Sequence, residues 1–251
     1  MDNQRMLISV VPAAGLGTRL GSDVPKLFVQ ITPTTRVIDL LESSITPFVD
    51  ECCFVIRPDM IDSFKEYSTE SKSTFVIQQE PLGMGDAIFT ASNKFQEFED
   101  ILIVWGDQIS LSKETLEKVI MSHMKSGDYC TIPLVQMQNP YVHYEISRLS
   151  KLTNLFQSRE GDILPSIGFS DIGVFLIKTE NLVKEWHTYL ENKITMGNTT
   201  NEINFLPFLL FLSQSGKSLN FPMVDDPFES IGMNTPSELE KLRNILEVRE
   251  R

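Results

Sequence analysis

Hydrophobic positions along this chain follow two rhythms. Four short and nearly continuous apolar runs, MLISVV (6 to 11), CCFVIR (52 to 57), TFVIQ (74 to 78) and ILIVWGD (101 to 107), are strand-sized and rich in β-branched residues. Runs without polar alternation suit strands covered on both faces, as in a parallel sheet. Between them the apolar spacing is helical, at 36 to 47, 59 to 67, 84 to 96 and 112 to 125. Alternating strands and helices predict βαβ units with right-handed crossovers.

Beyond residue 128 the rhythm changes. Strand-like segments at 129 to 136, 143 to 149 and 168 to 178 surround the polar stretch FQSREGDILPSIG and read as an inserted, mixed-sheet subregion over the open edge of the first half. Helical patterns return at 179 to 191, 204 to 214 and 236 to 248, the last preceded by the start signal Asn234, Thr235, Pro236. No linker-like composition divides the chain, so the expectation is one α/β domain over 1–251, with a mostly parallel, mixed central sheet flanked by helices. In such open sheets ligands gather beyond the C-terminal ends of the strands. The loops after Val11, Gln78 and Val104 should therefore converge.

Composition narrows the ligand. A formal net charge of -12 argues against nucleic acid or an anionic membrane as partner, so any anion must be met locally. Three cysteines, Cys52, Cys53 and Cys130, offer neither zinc spacing nor an even disulfide set, which points to a reducing, cytoplasmic setting. The run at 6 to 11 is too short for a signal core, and FLPFLLFL (205 to 212) is too short for a membrane span. The latter reads as a core helix with Pro207 in its first turn, or as a subunit surface, which leaves a homo-oligomer open. His123 reads as solvated on an exposed helix face.

Four loops carry candidate chemistry. PAAGLGTRLGSDVPK (12 to 26) follows the first strand; its glycines, Gly15 and Gly17 among them, let backbone N–H groups approach a phosphate, and Arg19 and Lys26 could neutralise a triphosphate. It lacks the G-K-[ST] of a Walker motif and the third glycine of a dinucleotide fingerprint, and an ordinary glycine turn with solvated cations is the plain alternative. In QQEPLGMGDA (78 to 87), Gln78 could read a base edge and Gly83 admit backbone contact, or the glycines could simply serve turn geometry. In VWGDQ, Asp107 just past a strand could hold Mg²⁺, with Asn234 of IGMNTP as a second oxygen; a turn residue and a helix cap are the alternatives.

Taken in order with DIGVF (171 to 175) and NEINFLPFL (201 to 209), these segments resemble the nucleotidyltransferase superfamily over about residues 6 to 246. The pattern is most similar to the uridylyltransferase domain of bacterial N-acetylglucosamine-1-phosphate uridylyltransferases. The resemblance implies a Rossmann-like (GT-A-like) fold with a nucleotide-binding half at about 1–128 and an acceptor-binding half at about 129–251. It implies that an acceptor phosphate attacks the α-phosphorus of a pyrimidine NTP, UTP above all, and expels pyrophosphate. Arg19 and Lys26 are then catalytic, Asp107 and Asn234 hold Mg²⁺, and Ala13, Ala14, Gly15 and Gly17 with Gln78 and Gly83 bind nucleotide. At the acceptor end Glu202 matches the family, whereas Gln157 replaces a sugar-binding glutamate, Asp171 and Gly173 stand in an altered Asn-Thr-Gly, and YVHYE replaces Gly-Tyr-Gly. These changes set the acceptor apart from N-acetylglucosamine 1-phosphate. A cytidylyltransferase acting on a polyol, alditol or amino-alcohol phosphate and a silent nucleotide-sensing paralogue are the rival expectations.

Overall fold

The computed structural model describes residues 6–22, 24–68, 73–191 and 196–249. The first half runs β1 (Leu7–Pro12), α1 (Val37–Ile45), β2 (Glu51–Ile56), α2 (Ile61–Ser68), β3 (Thr74–Ile77), α3 (Met84–Thr90), α4 (Ser92–Phe95), β4 (Asp100–Val104) and α5 (Lys113–Ser126). The second runs β5 (Cys130–Thr131), β6 (Leu134–Gln138), β7 (Val142–Ile146), β8 (Leu152–Gln157), β9 (Ile167–Asp171), β10 (Val174–Lys178), α6 (Leu182–Glu191), α7 (Leu206–Gln214), β11 (Leu219–Asn220) and α8 (Pro236–Arg249).

Seven strands form one sheet in the order β11-β5-β10-β4-β1-β2-β3. All neighbours are parallel except β10, which is antiparallel to both β4 and β5. The chain steps from β1 outward to β2 and β3, then returns to place β4 on the other side of β1. The gap between the ends of β1 and β4 is thus a topological switch point, where an open α/β sheet forms a crevice.

Both sheet faces are covered, and the period-two geometry of strands sorts residues between them. Leu7 and Val11 of β1, Leu102 and Val104 of β4, and Val174 and Leu176 of β10 join the face packed by α1, α2, α5 and α8. Their neighbours Ile8, Val10, Ile101, Ile103, Phe175 and Ile177 join the face packed by α3, α4, α6 and α7. This explains the unalternating apolar runs. It also sends Cys52 and Cys53 to opposite faces, where both are free and buried, and burial pushes their thiols up to about 12 and about 11.

The second half departs from its expected outline. The segment 129 to 136 is broken at Pro133, which supplies no N–H, so β5 stays in the main sheet and β6 leaves it to pair with β9. The segment 168 to 178 is broken at Gly173, whose φ of 73° turns the chain between β9 and β10. The inserted subregion is therefore two separate ribbons, β6 with β9 and β7 with β8, while β5 and β10 complete the central sheet. Two strands, β8 and β11, escape the apolar pattern because one is half polar and the other only two residues long.

The stripe 205 to 212 is core: Phe205, Phe208, Leu209 and Leu212 are buried, and Pro207 sits in the first turn of α7. His123 is a correction, since it is 1% exposed rather than solvated. It shares the inner face of α5 with Leu116, Val119 and Ile120, and its ring nitrogens meet Thr131 Oγ1 at 2.8 Å and Asp100 Oδ1 at 3.2 Å. Among the described residues no helix is long and apolar enough to cross a membrane.

Candidate active site

A cavity of about 350 Å³ opens at the switch point, lined at one end by the glycine loop, Arg19, Lys26, Asp107 and Asn234, and elsewhere by Gln78, Gly83, Met84, Arg159 and Glu202. Each of its polar groups is placed by an apolar anchor or a backbone bond close by. Arg19 is held by a 3-10 turn whose Leu20 is buried, and Lys26 by the next such turn, where Leu27 and Phe28 are buried. Ala13 N–H donates to Val55 O at 2.9 Å and is engaged within the fold.

Asp107 and Asn234 come from loops far apart in sequence and are tied by Met233 N–H donating to Asp107 O at 3.1 Å. Lys26 Nζ donates to Asp107 Oδ2 at 3.1 Å and to Asn234 Oδ1 at 3.2 Å, and Arg19 Nη2 reaches the same Asn234 oxygen at 3.1 Å. Two cations and two hard oxygen donors thus share one point. Among the described residues no three His, Cys, Asp or Glu side chains cluster as a metal cage. A cation held by Asp107 and Asn234 would complete its shell with phosphate and water, which is usual for Mg²⁺.

Asn234 also has its backbone pinned. Glu238 Oε2 accepts from Asn234 N–H at 3.0 Å and Thr235 N–H at 2.8 Å, while Thr235 Oγ1 accepts from Glu238 N–H at 3.3 Å. This reciprocal cap starts α8. The start signal and the ligand role of Asn234 are therefore compatible readings of the same residues.

Gln78 is 4% exposed, and its Nε2 donates to Asp86 Oδ2 at 2.7 Å and Gly83 O at 3.2 Å. A carboxylate and a carbonyl only accept, so the amide orientation is fixed and Oε1 is the atom left for a ligand. Gly83, at φ 124°, lies so close to the loop carrying Glu202 that a Cβ there would stand 2.6 Å from Ile203 N. Ile203 N–H donates to Leu82 O at 2.7 Å and Gly85 N–H to Ile203 O at 2.9 Å, zipping the loop after Gln78 to the loop of Glu202.

Three of the expected acceptor residues lie outside the cavity lining. Gln157 ends β8, with its N–H donating to Asp162 Oδ2 at 2.8 Å. Asp171 is buried, accepting from Tyr144 Oη at 3.0 Å and from Gly173 N–H at 2.8 Å. Burial raises its carboxyl above the ordinary aspartate range against the lowering pull of those two bonds. Glu202 alone of that set reaches the cavity, and there Arg159 Nη2 meets its Oε1 at 2.7 Å.

Residues missed from sequence include Arg159, Asp86, Glu238 and Arg57. Arg57 follows β2, pairs in bidentate fashion with Asp59 at 2.9 Å and donates from Nη1 to Gly15 O at 2.6 Å, buttressing the glycine loop from behind. Its position just past a strand, on the edge where the loops converge, was the available signal.

The chain is 25% identical over 238 residues to the bifunctional protein GlmU of Carboxydothermus hydrogenoformans, covering 93% of this chain and 51% of that protein. It is 25% identical over 247 residues to the bifunctional protein GlmU of Buchnera aphidicola, covering 97% and 53%. It thus spans about half the length of these relatives. The structure of a 4-diphosphocytidyl-2C-methyl-D-erythritol synthase from Anaerococcus prevotii superposes with a TM-score of 0.68 at 13% identity, over 98% of this chain and 97% of that one, and shares the fold. The MobA-like NTP transferase domain matches residues 9–166. With that match the motif resemblance is borne out: the chain belongs to the MobA-like NTP transferase family of nucleotidyltransferases.

Proposed function

We infer that the cavity transfers a nucleoside monophosphate from UTP to a sugar 1-phosphate, with release of pyrophosphate. The observation that carries this reading is the meeting of Arg19 and Lys26 with Asp107 and Asn234 at one end of a cleft whose other walls hold Gln78 and Glu202. The acceptor's phosphate oxygen is already ionised, so the attack needs no general base. What remains is alignment and charge stabilisation. Lys26 and Arg19 can leave their oxygens for phosphate, Lys26 as a compact point charge and Arg19 through forked N–H donors. A Mg²⁺ ion held by Asp107 and Asn234 would add charge neutralisation on the reacting phosphates. The acceptor edge of Gln78 suits uracil, whose N3–H can donate to it, whereas cytosine presents a lone pair at N3 and could donate there only through its exocyclic N4 amine.

The test is a matrix of UTP, CTP, dTTP and GTP against sugar 1-phosphates and polyol and amino-alcohol phosphates, read as pyrophosphate release. UTP with a sugar 1-phosphate is the expected best pair. Turnover with CTP and not UTP replaces this reading with a cytidylyltransferase, and nucleotide binding without pyrophosphate from any pair replaces it with a sensing protein.

A further inference from the structure

We propose that Arg159 sets acceptor selectivity: paired with Glu202, it makes the acceptor end of the cavity neutral and suited to the phosphate ester of an uncharged polyhydroxylated group rather than that of a cationic amino alcohol. The proposal rests on the nucleotidyl-transfer reading above and on Glu202 facing the acceptor.

Arg159 lies in the 3-10 turn Ser158–Glu160 after β8, and its guanidinium reaches the cavity to meet Glu202 at 2.7 Å. The two side chains keep 58% and 30% of their surface exposed, so both still face ligand and solvent. Their juxtaposition is built. The adjacent Glu160 turns the other way and takes hydrogen bonds from Thr199 N–H at 2.9 Å, Thr200 Oγ1 at 2.7 Å and Asn204 Nδ2 at 3.0 Å. Thr199 Oγ1 donates back to Glu160 O at 3.1 Å, and Gly197 N–H to Glu202 O at 2.8 Å. The turn bearing Arg159 and the loop bearing Glu202 are thereby fastened together on one carboxylate.

A lone carboxylate at the end of a cleft attracts a cation. The guanidinium cancels that field and leaves its remaining N–H donors beside the second carboxylate oxygen, a pairing that matches adjacent hydroxyls, each both donor and acceptor. The other charged residues lining the cavity, Arg19, Lys26 and Asp107, form the separate network at the phosphate end with Asn234. Glu160 and Asp162, though near in sequence, are bonded elsewhere and do not line it.

The test compares kcat/KM for glucose 1-phosphate and for phosphocholine, each with UTP and with CTP, in the wild type, Arg159→Gln and Arg159→Lys. The wild type should prefer glucose 1-phosphate. Arg159→Gln should move the ratio toward phosphocholine by about tenfold, the order expected for one unit charge a few ångströms away in a partly solvated cleft. The shift should sit in acceptor KM, and Arg159→Lys should keep most of the wild-type ratio. A ratio unchanged in a folded, active Arg159→Gln enzyme, or a wild type that prefers phosphocholine, overturns the proposal and leaves nucleotidyl transfer standing. A wild type that releases no pyrophosphate with any acceptor overturns both.

Discussion

Asp86 offers a sharp probe of the proposed base selection. It does not line the cavity, yet it dictates which atom of Gln78 does, through the 2.7 Å bond from Gln78 Nε2 to Asp86 Oδ2. A hydrogen bond to a charged group is worth about 1.5–3 kcal/mol and one between neutral groups about 0.5–1.5 kcal/mol. In the wild type both hold the amide with Oε1 toward the ligand. In Asp86→Ala only the longer bond to Gly83 O, at 3.2 Å, opposes an amide flip. The flipped amide offers N–H to the cytosine N3 lone pair, so discrimination of UTP over CTP should fall about 10- to 100-fold, the ratio that the lost bond represents. The assay is kcat/KM for each nucleotide at saturating acceptor, with thermal unfolding as the control for fold. An unchanged UTP to CTP ratio in a folded variant would refute the orientation argument.

Two further outcomes concern pH. Burial raises the Glu160 carboxyl, but its bonds from Thr199, Thr200 and Asn204 outweigh that and bring it from the ordinary 4.5 to about 2. A lowered folded value contributes stability above the ordinary one and loses it as pH falls through the folded one. Glu160→Gln should therefore unfold at a lower temperature than the wild type at pH 6, with the gap closing between pH 4.5 and about 2; a gap independent of pH would contradict the assignment. For Asp171 the sign reverses, because burial leaves its folded value raised. Asp171→Asn, which keeps an acceptor for Gly173 N–H, should be more stable than the wild type at pH 7, and acidification toward the ordinary aspartate range should erase the difference.

Much of the glycine-loop end of the cavity was legible in the chain because a local motif marks each of its residues, even though their contacts, such as Arg19 with Asn234, span up to 215 positions. A glycine loop follows a strand, cations follow the glycines, and Asp107 follows the next strand of the crevice. The central sheet was legible for the same reason: strands buried on both faces need unbroken apolar runs. The end holding Arg159 and Glu202 was not, because no motif marks Arg159 within its polar stretch and nothing near Asp171 in the chain announces its partner. Arg159 meets Glu202 across 43 positions, and Asp171 meets Tyr144 across 27. A motif shows that Asp171 stands where the family has an amide; it does not show that a tyrosine hydroxyl has made that carboxylate a buried structural partner. His123 was legible in principle, since Leu116, Val119, Ile120 and His123 recur at helical spacing on one face.

The proposed function turns on Asp107 and Asn234, facing Lys26 and Arg19, acting as a phosphate-transfer centre. The most direct measurement is pyrophosphate release from UTP and a sugar 1-phosphate by the wild type and by Asp107→Asn at matched Mg²⁺. The substitution keeps the shape and an oxygen for Lys26 but removes the charge a divalent ion needs. A loss of about 100-fold or more in kcat is expected, with the fold intact. Equal turnover by the two proteins would contradict it.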